Sequence, residues 1–368
     1  MGATQVKLAE QLTGTIPPEI IGVGTSVPPT TYTQEEILKE FSITDPRVRS
    51  VFLNGAIERR GLVLPPRQED GSRGIETQGE LLKKHVANGI AMGRESVEAC
   101  LKDANATLAD VRYLCCVTST GFITPGFTAL LIKELGISRH CSRLDVVGMG
   151  CNAGLNALTA VSGWAGAHPD ELALMVCIEV CSAAYIFDGT MRTSVVNSLF
   201  GDGSAAVAVR TAGPDTQTHV VPRPRLLKFS SCIIPEAVDS MRYDWDDDQG
   251  KFSFYLDPEI PYVVGAHAEL SVDRLLHGTG WRRSDISHWI VHSGGKKVID
   301  AVRINLGLTR QQVRHTTGVL RDHGNLSSGS FLFSYRRLVD ESVVEPGDRG
   351  IFMTMGPGST IEMALVGW

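Results

Sequence analysis

The sequence predicts an α/β fold built from two pseudo-symmetric halves, and three observations carry that expectation. Apolar strand candidates alternate with helical stretches in both halves, the pattern of a sheet covered by helices. Several of the strands are continuously apolar rather than alternating, as expected where helices lie on both sheet faces. The halves also repeat one order, in which a strand meets glycines and a helix and a later Gly-x-Gly-Ser segment leads into a β-rich tail.

In the first half, strands are predicted at residues 113–118, 144–147, 172–178 and 205–209. A helix is predicted from Cys151 onward, where Leu155, Leu158 and Val161 recur at helical spacing. In the second half the strands fall at 289–292, 351–355 and 362–366, with a helix over KKVIDAVRINLGL. GDGS at 201–204 and GPGS at 356–359 both read as tight hairpins. The irregular run PPRQEDGSRGIETQGE after Leu64 reads as a surface loop. The polar, breaker-rich segment 211–225 places the boundary between halves, giving units of 1–215 and 216–368.

Composition narrows the class. The 368 residues, 43% hydrophobic and 21% charged, have the balance of a soluble globular protein. A formal charge of −6 opposes nucleic acid as a main partner. No apolar run reaches the roughly 20 residues that span a bilayer, and the start MGATQVKLAEQL lacks an apolar signal region, so a cytoplasmic location is expected. Eight cysteines without a CxxC pair point to a reducing compartment and to no metal site.

Cys151, in VVGMGCNAGLNAL, stands apart from the other cysteines. Free cysteine usually behaves as a small buried hydrophobe, and Cys100, Cys115, Cys116, Cys141, Cys177, Cys181 and Cys232 are read that way. Cys151 instead follows two glycines at a helix start, where the macrodipole is expected to lower a thiol's pKa. His292 in VHSGGKK occupies the equivalent strand-to-helix corner of the second half, so the two can converge on the pseudo-axis. Asn325 in GNLSSGS suits a turn or helix cap as well as it suits catalysis.

The segments CVTSTGFITPG, GMGCNAGLNAL, SLFGDGSAA, FSFYLDPEIP, HSGGKK, GNLSSGS and GPGST, spread over residues 45–368, resemble those of type III polyketide synthases. These are chalcone-synthase-like enzymes, and the resemblance implies a thiolase-like, five-layered αβαβα fold. CCVTSTGF, MRYDWDDDQ and HTTGVLRDHGNLSSGSFLFSY resemble the bacterial members that make 3,5-dihydroxyphenylacetyl-CoA for glycopeptide antibiotics.

The resemblance implies that Cys151 carries the growing chain as a thioester, and that His292 and Asn325 stabilise the malonyl-derived enolate. CoA thioesters, malonyl-CoA above all, would be substrates, with no metal and no other cofactor. Phe200 and Phe254 would be aromatic gatekeepers, while Cys181, Ala184 and the loop beginning at Met355 would shape the cavity. Thr124 would reach into a partner's cavity, implying a homodimer. Arg47, Arg49, Arg59 and Arg60 are candidates for the CoA phosphates, and crotonase-like helper enzymes are possible partners. Rival readings are a synthase with another starter or product (alkylresorcinol, tetrahydroxynaphthalene), a ketoacyl-ACP synthase III and a non-catalytic scaffold.

Overall fold

A computed structural model describes residues 16–212 and 223–368. The start of the chain and the expected boundary at 215/216 lie outside the described residues. In chain order the strands are β1 (Glu19–Ser26), β2 (Thr31–Thr33), β3 (Arg59–Gly61), β4 (Val111–Thr118), β5 (Ser142–Val147), β6 (Leu172–Glu179), β7 (Gly203–Arg210), β8 (Arg225–Ile233), β9 (Met241–Asp246), β10 (Lys251–Leu256), β11 (His288–Val291), β12 (Arg349–Gly356) and β13 (Thr360–Gly367). The helices are α1 (Gln34–Glu40), α2 (Pro46–Leu53), α3 (Gln78–Asp103), α4 (Phe127–Leu135), α5 (Ala153–Ala167), α6 (Met191–Leu199), α7 (Ile260–Leu276), α8 (Lys296–Asn305), α9 (Arg314–His323) and α10 (Ser330–Glu341).

Nine strands form one sheet in the order β11-β12-β13-β8-β1-β7-β6-β4-β5. Outward from its middle, β1-β7-β6-β4 pair antiparallel, antiparallel and parallel, and β8-β13-β12-β11 pair in the same way. The two runs join at the register pair Glu19 and Arg225, whose side chains form an ion pair at 2.9 Å.

Side chains on alternate positions of each strand enter different cores, which explains the continuously apolar strands. Cys115 and Val117 of β4 face a central layer that holds α5, α10 and, from the second run, Ile290 and Phe352. Leu114 and Cys116 face the opposite way, onto α3 and α4. In the second run, Trp289, Ile351 and Met353 face α7 and α8. Helices, sheet, central helices, sheet and helices make five layers, as the family resemblance implies.

Two local expectations are corrected. GPGS at 356–359 is a hairpin turn, with Gly356 paired to Thr360 across β12 and β13, but GDGS at 201–204 is not. It follows α6 and feeds β7, which pairs with β1 and β6 rather than with the segment preceding the turn. The run after Leu64 also ends inside a helix rather than in a loop. Thr77 accepts from the Glu80 N–H, and Glu80 takes the Thr77 N–H in return, a capping box that starts the 26-residue α3. No described helix is long and apolar enough to cross a membrane.

Candidate active site

The turn into α5 carries Cys151, buried at one end of a cavity of about 300 Å³. Cys181, Ala184, Phe200 and Phe254 line the same cavity, together with Ser119, Thr120, Met241, Arg242, Tyr243, Ser327 and Pro357. The Phe200 and Phe254 rings stand at 90° with centroids 5.8 Å apart, and Tyr243 packs on Phe254 at 5.0 Å. Phe200 ends α6, and Phe254 and Tyr243 come from the hairpin β9–β10.

His292 and Asn325 are not among the residues lining this cavity, but hydrogen bonds and close packing stitch their segments to its wall. The His292 N–H donates to the Met353 carbonyl on β12 at 2.8 Å. Three residues further along β12, Gly356 backs onto the turn that carries Cys151. A Cβ there would lie 2.2 Å from Asn152 Oδ1 and 3.0 Å from the Cys151 nitrogen, so only glycine allows the approach. Ser293, next to His292, donates its hydroxyl to the Gly324 carbonyl at 3.3 Å. Asn325 then exchanges backbone hydrogen bonds with the gate segment, donating to the Leu199 carbonyl and accepting from the Gly201 N–H, each at 2.9 Å. The backbone segments that carry Cys151, His292 and Asn325 are thereby tied together from β5–α5, β11–α8 and α9–α10.

The Asn325 amide has a fixed sense. Its Oδ1 accepts from the Ser327 N–H at 2.8 Å and from the Ser330 hydroxyl at 3.3 Å. The NH2 end is left to act on Cys151, where hydrogen bonding from Asn325 favours the thiolate. The Ser327 hydroxyl lies 3.7 Å from the Cys151 sulfur and acts in the same direction.

Electrostatics overturns one expectation. A helix start was expected to lower the Cys151 pKa, but burial pushes the thiol up to about 12 and outweighs the Ser327 and Asn325 donors. Burial likewise drives His292 down to about 3, and its Nδ1 has no hydrogen-bond partner. Burial thus favours the neutral form of both groups. Labelling of Cys151 by iodoacetamide should therefore keep rising tenfold per pH unit from pH 7 to 10. A rate that levels off near pH 7 would show a preformed thiolate.

Other residues fall elsewhere. Met355 is buried in β12, and its loop offers Pro357 to the cavity instead. Thr124 is exposed and is not among the residues lining this cavity. Arg47 and Arg59 are exposed, and Arg49 pairs with Glu35 at 3.0 Å. Arg60 cannot meet a CoA phosphate. It is fully buried, donating to Gln34 Oε1, the Tyr185 hydroxyl and the carbonyls of Asn197 and Phe200.

The sequence reading missed Glu179, at the end of β6. Burial pushes its carboxyl up to about 7 although the Ser119 N–H and Ser328 hydroxyl donate to it. Nothing in its apolar strand marks it beforehand. Ser327 and Tyr243 sit inside GNLSSGS and MRYDWDDDQ, which were informative as motifs but silent about contacts. Among the described residues no group of three His, Cys, Asp or Glu side chains could hold a metal ion.

Residues 64–214 match the N-terminal domain of chalcone and stilbene synthases, and residues 230–367 match the C-terminal domain. The chain is 68% identical over 352 residues to a 3,5-dihydroxyphenylacetyl-CoA synthase of Streptomyces toyocaensis, covering 95% of this chain and 90% of that one. It is 66% identical to the enzyme of the same name from Amycolatopsis orientalis, covering 94% and 92%. The crystal structure of 1,3,6,8-tetrahydroxynaphthalene synthase from Streptomyces coelicolor superposes with a TM-score of 0.83 at 28% identity, covering 95% of this chain and 99% of that one.

Proposed function

The chain belongs to the chalcone and stilbene synthase family and is a type III polyketide synthase, and from that premise we propose that it builds 3,5-dihydroxyphenylacetyl-CoA from malonyl-CoA. The observation that carries the product is the 68% identity over 95% of this chain to a synthase of that name. The carbon count agrees. Four malonyl units that each lose one carbon dioxide leave eight carbons, the number in a dihydroxyphenylacetyl group. Bonding the far end of that chain to the third carbon from the thioester, with loss of one water, closes the six-membered ring.

Cys151 attacks the first CoA thioester, and its proton passes to His292 as the C–S bond forms and CoA leaves. The imidazolium is thus made during attack rather than held beforehand, which fits burial favouring both neutral forms. The next malonyl-CoA places its thioester oxygen against His292 and the Asn325 NH2. These donors stabilise the enolate left by carbon dioxide, and its carbon attacks the Cys151 thioester, breaking the C–S bond to release the Cys151 sulfur. The lengthened chain is left on CoA, from which Cys151 takes it back for the next round. Water is excluded by the apolar walls of Phe200 and Phe254, which favour conversion of a carboxylate into neutral carbon dioxide.

Asn325→Asp keeps the Oδ1 contacts to Ser327 and Ser330 and removes the donor. The turnover of malonyl-CoA should fall roughly 100- to 1000-fold while thermal stability hardly moves, as steady-state kinetics and calorimetry would show.

The sheet edge supports a homodimer. Strand β5 pairs only with β4, and Leu144, Val147 and Met149 near its exposed side stand open together with Phe122. A long exposed apolar edge is a template for another chain, and a second copy would bring Thr124 to its partner's cavity. Val147→Asp removes one such contact, worth about 1.5–3 kcal/mol, and should raise the dimer dissociation constant at least about tenfold in analytical ultracentrifugation.

Purified protein given malonyl-CoA alone tests the whole reading by mass spectrometry. Absence of both carbon dioxide release and polyketide would refute it, and tetrahydroxynaphthalene would replace the product assignment. Linear or lactone tetraketides without the aromatic ring would assign dehydration to a helper enzyme such as a crotonase-like partner.

A further inference from the structure

A second cavity, of about 290 Å³, lies beside the first. The 3-10 turn Cys181–Ala184 separates them, giving Cys181 and Ala184 to the catalytic cavity and Ser182, with the following Tyr185, to its neighbour. Four charged side chains line the second cavity: Glu40, Arg73, Glu76 and Lys251. Three are already neutralised. Glu40 pairs with Arg73 at 2.6 Å and with Arg67 at 2.5 Å, and Glu76 pairs with Lys84.

Lys251 differs from these. It is 6% exposed, and among the described residues its ammonium makes no hydrogen bond or ion pair. Its charge is felt by Glu80, but that carboxylate is exposed and already takes the N–H and hydroxyl of Thr77. The ammonium thus stands at the cavity wall with no carboxylate in contact, and an anion entering the cavity meets it directly.

The remaining lining describes the body attached to that anion. Phe41 and Phe187 stack with centroids 3.5 Å apart, Tyr185 meets Phe187 edge-on at 5.9 Å, and Leu64 and Leu81 close the apolar surface. The volume sits at the small end of ligand pockets, about 300 Å³.

We propose that this second cavity binds a small aromatic carboxylate, its carboxylate paired with the Lys251 ammonium and its ring against Phe41, Tyr185 and Phe187. The site does not depend on which polyketide the catalytic cavity makes. Titration calorimetry of the full chain with phenylacetate, acetate and inorganic phosphate tests it. One equivalent of phenylacetate should bind per chain, at least tenfold more tightly than acetate or phosphate. Lys251→Met should weaken phenylacetate at least tenfold and Lys251→Arg much less, with malonyl-CoA turnover within twofold of the parent in both. Phe187→Leu, which removes a ring without opening a large void, should weaken phenylacetate and leave acetate unchanged, so the idea stays testable even if Lys251→Met does not fold. No binding of phenylacetate, equal binding of acetate or phosphate, or full affinity in both Lys251→Met and Phe187→Leu would overturn the assignment.

Discussion

Cys151→Ala should abolish polyketide formation while leaving slow conversion of malonyl-CoA to acetyl-CoA. The two halves of the chemistry use different groups. Holding the chain as a thioester needs the sulfur; burial raises the pKa of both thiols lining the cavity, but Cys151 has the Ser327 and Asn325 hydrogen bonds that favour its thiolate. Loss of carbon dioxide needs only the donors on the thioester oxygen, and His292 and Asn325 remain. Removing the nucleophile of a unit that works together costs on the order of 10⁶-fold, so extended products should vanish from the mass spectrum. Residual acetyl-CoA, followed by chromatography, should in turn disappear in the double variant Cys151→Ala, Asn325→Asp. A single Cys151→Ala variant that still makes tetraketide would remove Cys151 from the reaction altogether.

Arg60→Met should unfold the gate as much as it destabilises the fold. The guanidinium of Arg60 is fully buried and donates to the Asn197 carbonyl at 2.7 Å, the Phe200 carbonyl at 2.5 Å, the Tyr185 hydroxyl at 2.8 Å and Gln34 Oε1 at 2.7 Å. Burial presses against its charge, and the Tyr185 hydroxyl and Asp202 work to retain it. Methionine fills most of the volume but leaves the Asn197 carbonyl and Gln34 Oε1 buried without donors, while the Phe200 carbonyl keeps the Tyr185 hydroxyl. Each such group costs about 1–3 kcal/mol, so a total of about 2–6 kcal/mol is expected, the scale of a broken buried ion pair. Differential scanning calorimetry should show a drop on the order of 10 °C. Since the Phe200 carbonyl is one of those acceptors and Phe200 lies beside Asn325 through the Leu199 and Gly201 hydrogen bonds, turnover should fall below the parent even well under the melting temperature. Arg60→Lys should recover part of the stability, because one ammonium can serve only some of the four acceptors. Unchanged melting and turnover in Arg60→Met would show that the buried network is dispensable.

Much of the architecture was legible where local chemistry and tertiary context agree. Strands β4, β6, β12 and β13 are apolar in sequence because both faces are covered by helices. The Cys151 corner and α5 were visible for a related reason, since glycines end a β-branched run and apolar residues then recur at helical spacing. Strand β1 was hidden by its own glycines. In EIIGVGTS they read as breakers, yet Gly24 is there so that α3 can lie against the strand: a Cβ would stand 2.3 Å from the Cys100 nitrogen. The hairpin β9–β10 was hidden as well. Tyr243, Trp245, Phe252 and Phe254 pair across one face of it, but only Tyr243 and Phe254 reach the cavity, and charged residues at 246–248 disguise the turn.

The sequence by itself determined the kinds of group in the site and their order along the chain: a thiol, an imidazole, an amide and two phenylalanines in motifs that identify the family. It also determined the α/β alternation, because strand and helix periodicity are local properties of neighbouring residues. Only the tertiary structure decided the charge states, the true place of Arg60 and the presence of Glu179 and Lys251 beside their cavities. Those depend on desolvation, which is set by residues far away in the chain that pack around a group. The same helix start that favours an anion in an exposed peptide thus holds, at Cys151, a thiol that burial pushes toward its neutral form.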